Sequence, residues 1–129
     1  MKEKIPVNFQ VLFEKIPGLF LVLSPSLQIV AVSNEYLRAT LTERDKILGK
    51  DLFEVFPDNP NDLTANGVSN LRASLDRASK SKTPDTMAVQ RYDIRRPDTG
   101  NFEVRYWSPV NIPLLDENGE LLYLLHKVE

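Results

Sequence analysis

The 129-residue sequence contains no cysteine. This absence excludes disulfide bonds, thiolate metal sites, cysteine nucleophiles and chromophores held through a thioether. Histidine is nearly absent as well, because His126 is the single one in the chain. Zinc and iron sites need several converging nitrogen, sulfur or oxygen ligands, so we expect no metal site.

An excess of charge of one sign and long apolar runs are also lacking. Sixteen basic residues against 18 acidic ones give a formal net charge of −2. A nucleic-acid-binding domain normally has a basic face, so we expect no nucleic-acid partner. The apolar run Leu19–Leu23 has five residues, far fewer than the ~18 of a membrane helix, and no signal peptide is visible. We expect a cytoplasmic domain that does not insert into membranes.

Catalytic motifs are missing too. The sequence has no Gly-x-Ser-x-Gly elbow and no glycine-rich phosphate loop. Asp51, Asp58 and Asp62 lack the ligand spacing of a calcium loop, and we interpret them as part of a solvated loop before a helix. An enzyme on a cone-shaped α+β fold, with Asp93 or Asp116 as its base, is the weakest hypothesis because such folds open with long helices. We assign no catalytic residue.

Hydrophobic periodicity predicts short elements in the first half of the chain. A helix over residues 8–16, with Asn8 as its N-cap, follows from apolar residues at i, i+3, i+4 and i+7, namely Phe9, Leu12, Phe13 and Ile16. Leu19–Leu23 and residues 28–33 predict a hairpin around a Ser-Pro-Ser turn.

Helical signals continue through the middle of the chain. We expect Asn34 to cap a helix that directs Leu37 and Leu41 inward, residues 42–45 to form a capping box, and residues 51–56 to form another turn. The longest helix is predicted around a narrow apolar stripe formed by Val68, Leu71, Leu75 and Ala78.

From Thr86 onward the apolar period changes to two, which predicts three strands. The last two are joined by a turn at residues 116–119, and the closing strand covers Leu121–Val128. Because proline cannot donate to a strand ladder, Pro109 and Pro113 predict a bulge or bend near residues 108–111. The predicted fold class is α+β: a five-stranded antiparallel sheet with helices on one face and a short N-terminal helix.

This order of elements resembles the PAS domains of bacterial sensor histidine kinases over essentially the whole chain. The stretches that carry the resemblance are Pro17-Gly18-Leu19-Phe20, Ile47-Leu48-Gly49-Lys50, Leu52-Phe53, Phe56-Pro57, Tyr92-Asp93-Ile94 and Tyr106-Trp107 through Asn111 and Pro113. The resemblance implies a PAS sensor domain over residues 18–129, preceded by an amphipathic helical cap over residues 1–17. It also implies an output domain, a histidine kinase, downstream in a longer protein.

The candidate ligand site is the concave space between the sheet and the long helix. On the predicted alternation, Gln90, Tyr92 and Tyr106 face this space. We expect Phe53 to face it from the helical side and Asn111 at the strand break. Flavin or another chromophore linked through cysteine is excluded, and haem is not expected because His126 lies on the last strand. The ligand, if one exists, is unknown, and the same residues could instead complete a filled core.

The second candidate surface is apolar and external. Met87, Val89 and Trp107 are predicted on the outer face of the sheet, where the N-terminal helix or a partner chain would cover them. We therefore expect a homodimer with Phe9, Phe13 and Trp107 at its interface. Two functions remain open: a ligand-responsive relay that acts through the last strand, and a ligand-free PAS dimerisation module.

Overall fold

The structure, a computed structural model, describes residues 4–129. The predicted cap over residues 1–17 therefore begins outside the described residues. The helices are α1 (Phe9–Lys15), α2 (Asn34–Thr40), α3 (Arg44–Ile47), α4 (Leu52–Val55) and α5 (Gly67–Ser81). The strands are β1 (Leu19–Leu23), β2 (Ile29–Val32), β3 (Asp85–Thr86), β4 (Gln90–Arg91), β5 (Ile94–Arg95), β6 (Phe102–Glu103), β7 (Tyr106–Trp107), β8 (Val110–Leu115) and β9 (Leu121–Val128).

The main sheet has five strands in the order β2-β1-β9-β8-β3, and every neighbouring pair is antiparallel. Two further antiparallel pairs, β4 with β7 and β5 with β6, continue the hairpin that begins with β3 and β8. The predicted α+β fold with a five-stranded antiparallel sheet is confirmed. The last strand in sequence, β9, is the middle strand of this sheet.

The core lies between one face of the sheet and the helices α2 to α5. Leu21, Leu23 and Leu124 of the sheet are completely buried in it. The predicted stripe of α5 faces them, with Leu71 and Leu75 buried. By contrast, α1 buries none of its residues and begins at the predicted cap, where Asn8 Oδ1 accepts a 3.1 Å hydrogen bond from Val11 N.

Two predicted helix ends are wrong. Ser33, not Asn34, caps α2, because its buried hydroxyl accepts from Tyr36 N and donates to Gly18 O on the neighbouring chain segment. The helix ends at Thr40, so Leu41 adopts a left-handed conformation (φ 57°) and is 36% exposed instead of facing inward.

The predicted capping box at residues 42–45 is absent from the described structure. Glu43 is the N-cap of α3 and makes no side-chain capping hydrogen bond. The Thr42 hydroxyl instead lies 2.8 Å from Thr40 Oγ1. A hydrogen bond between two hydroxyls only two positions apart therefore takes the place of the predicted capping box.

The prolines divide the fourth predicted strand as expected, between Trp107 at the end of β7 and Val110 at the start of β8. Pro113 nevertheless lies inside β8, and the bulge occurs between Leu114 and Leu115. The strand tolerates Pro113 because β3 pairs only with the first two residues of β8, so the missing N–H is not needed on that side. Among residues 4–129, no helix is long and apolar enough to cross a membrane.

Candidate ligand cavity

A cavity of about 40 Å³ lies between the helical layer and the sheet. Because one water needs roughly 10–15 Å³ by this measure, the space holds about three waters or a molecule of similar size. Drug-sized ligands occupy pockets of roughly 300–1,000 Å³. The cavity is lined by Tyr36, Thr40, Leu52, Phe56, Gly67, Leu71, Met87, Gln90, Tyr92, Ile94, Trp107, Pro109, His126 and Val128.

Two of the predicted ligand residues line this cavity, Gln90 and Tyr92. The Gln90 amide is used at both ends, accepting from Asn70 Nδ2 at 2.9 Å and donating to Ala88 O at 3.0 Å. The Tyr92 hydroxyl donates to Phe56 O, and burial raises the pKa of this tyrosine. Both side chains are therefore fixed in place by the protein itself.

The other three predicted ligand residues lie elsewhere. Phe53 is a core residue whose ring is covered by the Arg72 guanidinium, 4.5 Å from its centroid. Asn111 is completely buried behind the cavity wall. The predicted inward orientation of Tyr106 is wrong, because its side chain is 65% exposed.

The predicted alternation is also wrong at the start of the third predicted strand. Ala88 and Val89 are both exposed, so two consecutive residues face solvent and the alternation shifts by one. The predicted outward orientation of Met87 is therefore wrong, and it lines the cavity. Cross-strand partners share a face, and Gln90 pairs with Trp107.

The predicted outward orientation of Trp107, on the fourth predicted strand, is also wrong, since its indole lines the cavity and donates from Nε1 to Tyr92 O at 2.8 Å. Tyr106, the neighbour of Trp107, pairs with the exposed Arg91 and so faces solvent. The predicted phase of the fourth strand is thus inverted at Tyr106 and Trp107, whereas Gln90 and Tyr92 of the third strand line the cavity as predicted.

His126 is the cavity residue whose importance the sequence did not reveal. It lies on β9, is 4% exposed, and its Nδ1 is 2.7 Å from Asn111 Oδ1. Burial lowers the pKa of His126 to about 4, so the ring is neutral at neutral pH. The available signal was the period of two that places His126 on the same face as Leu124 and Val128.

A chain of hydrogen bonds leads from His126 to the surface, and we call it the polar chain: His126, Asn111, Ser74, Asp85 and Arg77. Asn111 Nδ2 lies 2.8 Å from Ser74 Oγ, which lies 2.5 Å from Asp85 Oδ2. Arg77 donates twice to the Asp85 carboxylate, each time at 3.0 Å. The hydrogen bonds from Arg77 and then Ser74 hold the pKa of Asp85 below its usual value.

Tyr36 of α2 completes the polar side of the cavity. Its ring meets His126 edge-on, with 6.2 Å between centroids, and Phe56 edge-on at 6.1 Å. Burial raises the pKa of Tyr36, so its hydroxyl stays protonated. Hydrogen bonds among the described residues use Tyr36 only through its main chain.

The acidic residues considered in the sequence serve as structural acceptors. Asp51 accepts from Phe53 N at 3.0 Å at the start of α4, and Asp58 accepts from Val68 N at 3.0 Å in the first turn of α5. Asp93 is 6% exposed and receives two hydrogen bonds from Arg91. Burial alone would raise the pKa of Asp93, but the hydrogen bonds from Arg91 and Asn59 outweigh it and lower the pKa.

The three residues predicted at a dimer interface differ in their surroundings. Phe9 is 75% exposed on α1. Phe13 is half-buried against Phe20, with 6.4 Å between ring centroids. Trp107 lines the cavity.

A family model described as the PAS fold matches residues 13–128. The chain belongs to the PAS family. A PAS domain from Colwellia psychrerythraea is similar, with a TM-score of 0.67 and 11% identity over 91% of this chain and 88% of that one. A sensory box sensor histidine kinase from Vibrio cholerae has a TM-score of 0.61 and 18% identity over 93% and 86% of the two chains.

A third similar structure is a variant PAS-B domain of Drosophila melanogaster Cycle with bound glycerol. It has a TM-score of 0.66 and 14% identity over 86% of this chain and 97% of that one. These likenesses show a shared fold and nothing finer. No curated protein sequence matches this chain.

Proposed function

We propose that this PAS domain is a sensory and signal-relay module of a multidomain bacterial signalling protein, a two-component sensor histidine kinase, and catalyses nothing itself. The observation that carries the proposal is the position of the cavity against the last strand. His126 and Val128 of β9 line it, and β9 is the middle strand of the sheet. A molecule in the cavity therefore touches the element that leads out of the domain.

The relay works by a shift between two arrangements of the sheet and the helical layer. A bound molecule contacts Tyr36 on α2 and His126 on β9 at the same time. It therefore favours the arrangement in which both side chains lie close enough to contact it. The response cannot exceed the difference in affinity of that molecule for the two arrangements. The kinase domain follows β9 in the full-length cytoplasmic protein, where it receives the change.

Two similar structures support this proposal by analogy of fold. The glycerol bound to the Cycle PAS-B variant supports the binding of a small molecule, and the Vibrio cholerae sensor histidine kinase supports a kinase as the parent protein. The decisive experiment is mass spectrometry of the purified domain under native conditions, compared with the same sample after denaturation. We expect a small molecule that is present in the native spectrum and released on denaturation. An empty native spectrum from protein purified out of its own host would contradict a resident ligand.

The alternative function is a ligand-free dimerisation module, and exposed apolar residues near the N-terminus favour it. Ile5, Phe9 and Leu12 are 85%, 75% and 52% exposed, and a second copy of the chain would cover them in a homodimer. Sedimentation equilibrium tests this directly. We expect Phe9→Asp to shift the dimer toward monomer, whereas Gln10→Glu, which adds the same charge to α1, should leave it intact.

The oligomer result also separates the two functions. A dimer without any retained molecule supports the scaffold, and a retained molecule supports sensing whether or not the protein dimerises. A monomer at high concentration would contradict the homodimer.

A further inference from the structure

The hydrogen bonds of the polar chain follow one donor-to-acceptor order, and the Asp85 carboxylate determines it. The Asp85 carboxylate is held by two hydrogen bonds from Arg77 and, with its lowered pKa, is ionised and can only accept. Ser74 Oγ lies 2.5 Å from Asp85 Oδ2, so the single hydroxyl proton of Ser74 is directed to this carboxylate. Toward its other neighbour Ser74 is therefore an acceptor.

This donor-to-acceptor order fixes the orientation of the Asn111 amide and the tautomer of His126. Asn111 must present its NH2 group to Ser74 Oγ at 2.8 Å, and Met87 Sδ, a weak acceptor 3.6 Å from the same nitrogen, agrees with that orientation. Asn111 Oδ1 then faces His126 and can only accept. His126 must donate from Nδ1, so Nδ1 carries the ring proton and Nε2 carries a lone pair.

The lone pair on Nε2 is left for the cavity. Hydrogen bonds among residues 4–129 use the His126 side chain only through Nδ1, and the residue lines the cavity. The Tyr36 hydroxyl is the second cavity group without a side-chain hydrogen bond in this range. The indole N–H of Trp107 and the amide of Gln90 are already engaged.

The cavity also lacks formal charge. None of the residues that line it is Asp, Glu, Lys or Arg, and both Tyr36 and His126 are neutral at neutral pH. A charged molecule would lose its hydration there without gaining an opposite charge.

We propose that the cavity binds small uncharged alcohols, whose hydroxyl donates to His126 Nε2 and accepts from the Tyr36 hydroxyl. The inference rests on the proposed sensory function and names the ligand class for the same site. A cavity of about 40 Å³ limits these alcohols to a few heavy atoms. Ser74 is a positioning residue in this scheme, since it acts on the ligand only through Asn111 and His126.

The first test needs no variant, because the chain has a single histidine. Long-range ¹H–¹⁵N correlation spectra of the ¹⁵N-labelled 129-residue chain at pH 7 report the protonation of each imidazole nitrogen. We expect a protonated Nδ1 and an unprotonated Nε2. A proton on Nε2, or a charged ring, would overturn the proposal at once.

The second test compares probes of equal heavy-atom number through the His126 signals. 2-Propanol can donate and accept, whereas acetone can only accept, and acetate is the charged probe. One neutral hydrogen bond predicts about fivefold tighter binding of 2-propanol than of acetone, with acetate weakest. Equal binding of acetone and 2-propanol would overturn the ligand class but leave a ligand cavity. Failure of every probe to move the signals would overturn the cavity as a ligand site altogether.

The third test removes Ser74, which connects the Asp85 carboxylate to the Asn111 amide. Ser74→Ala lets the Asn111 amide turn over, so we expect a mixture of His126 tautomers and loss of the preference for 2-propanol. Ser79→Ala is the matched control, because the Ser79 hydroxyl only donates to Leu75 O on the same helix. An unchanged tautomer and preference in Ser74→Ala would refute the role of the polar chain.

Discussion

Trp107 and Tyr92 are joined across the interrupted hairpin by a 2.8 Å hydrogen bond from the indole Nε1 to the main-chain carbonyl. Only the pairs β4 with β7 and β5 with β6 form ladders in this part of the sheet. A side chain therefore supplies a connection where the main chain has few. The same indole forms part of the cavity wall, so the stability of the hairpin and the shape of the cavity depend on one residue.

Trp107→Phe should destabilise the protein by about 2–3 kcal/mol, because it removes this hydrogen bond and enlarges the cavity. Urea unfolding measures the loss. Tyr106→Phe is the matched control, since Tyr106 is 65% exposed, and its effect should stay within about 0.5 kcal/mol. Equal effects of the two substitutions would contradict the observed orientation of this strand.

His126 makes the free energy of unfolding depend on pH, in a pH range above the one in which ordinary carboxylates titrate. Burial holds the folded-state pKa at about 4, whereas the unfolded chain protonates the imidazole near 6.5. The unfolded state therefore binds more protons between these values, and stability falls as the pH drops from 6.5 toward 4. The total loss is about 3 kcal/mol.

The measurement is the free energy of unfolding in urea at intervals between pH 7 and pH 4.5. His126→Gln lacks the titrating group, so its stability should change little over this window. A wild-type protein as insensitive to pH as this variant would show that His126 is solvated in the folded state.

Elements with a strong local pattern were predictable from the sequence. The stripe containing Leu71 and Leu75 predicted α5 and its buried face, because helical periodicity can be read from residues that are close together in the sequence. The turn at residues 116–119 was recognisable for the same reason, and Gly119 adopts the positive φ of 78° that glycine allows.

Tertiary contacts were not predictable in this way. Ser33 caps α2 because its hydroxyl also reaches Gly18, 15 positions away. Asn111 and Ser74 in the polar chain are 37 positions apart. The predicted alternation of the third strand is wrong at Ala88, because Ala88 and Val89 are both exposed and no turn signal in the sequence marks this irregularity. The candidate site depends on these long-range pairings more than on any motif.

Asp93→Asn should lower the free energy of unfolding by about 1 kcal/mol at pH 7, because the amide weakens the hydrogen bonds from Arg91. The lowered folded-state pKa means that the carboxylate stabilises the fold above the ordinary value of 3.8 and loses this effect as the pH falls further. The difference in stability between the two proteins should therefore be present at pH 7 and should disappear as the pH falls well below 3.8. A changed oligomeric state or altered binding of 2-propanol would show that Asp93 has a functional role.

Gly67→Ala tests how tightly the cavity wall is packed. A Cβ on Gly67 would lie 2.6 Å from Tyr92 Cδ2, so the ring would have to shift from the position that its hydrogen bond to Phe56 O fixes. The overpacking should cost about 1–3 kcal/mol, measured by urea unfolding, and should weaken the effect of 2-propanol on the His126 signals. Ser69→Ala, on the exposed side of the same helix, is the control and should change neither quantity appreciably.

Gly67 does not have a positive φ, so an alanine that met no obstacle would stabilise α5 by up to about 1 kcal/mol. A stabilised Gly67→Ala protein with unchanged alcohol binding would mean that the Tyr92 ring yields freely and does not define the cavity.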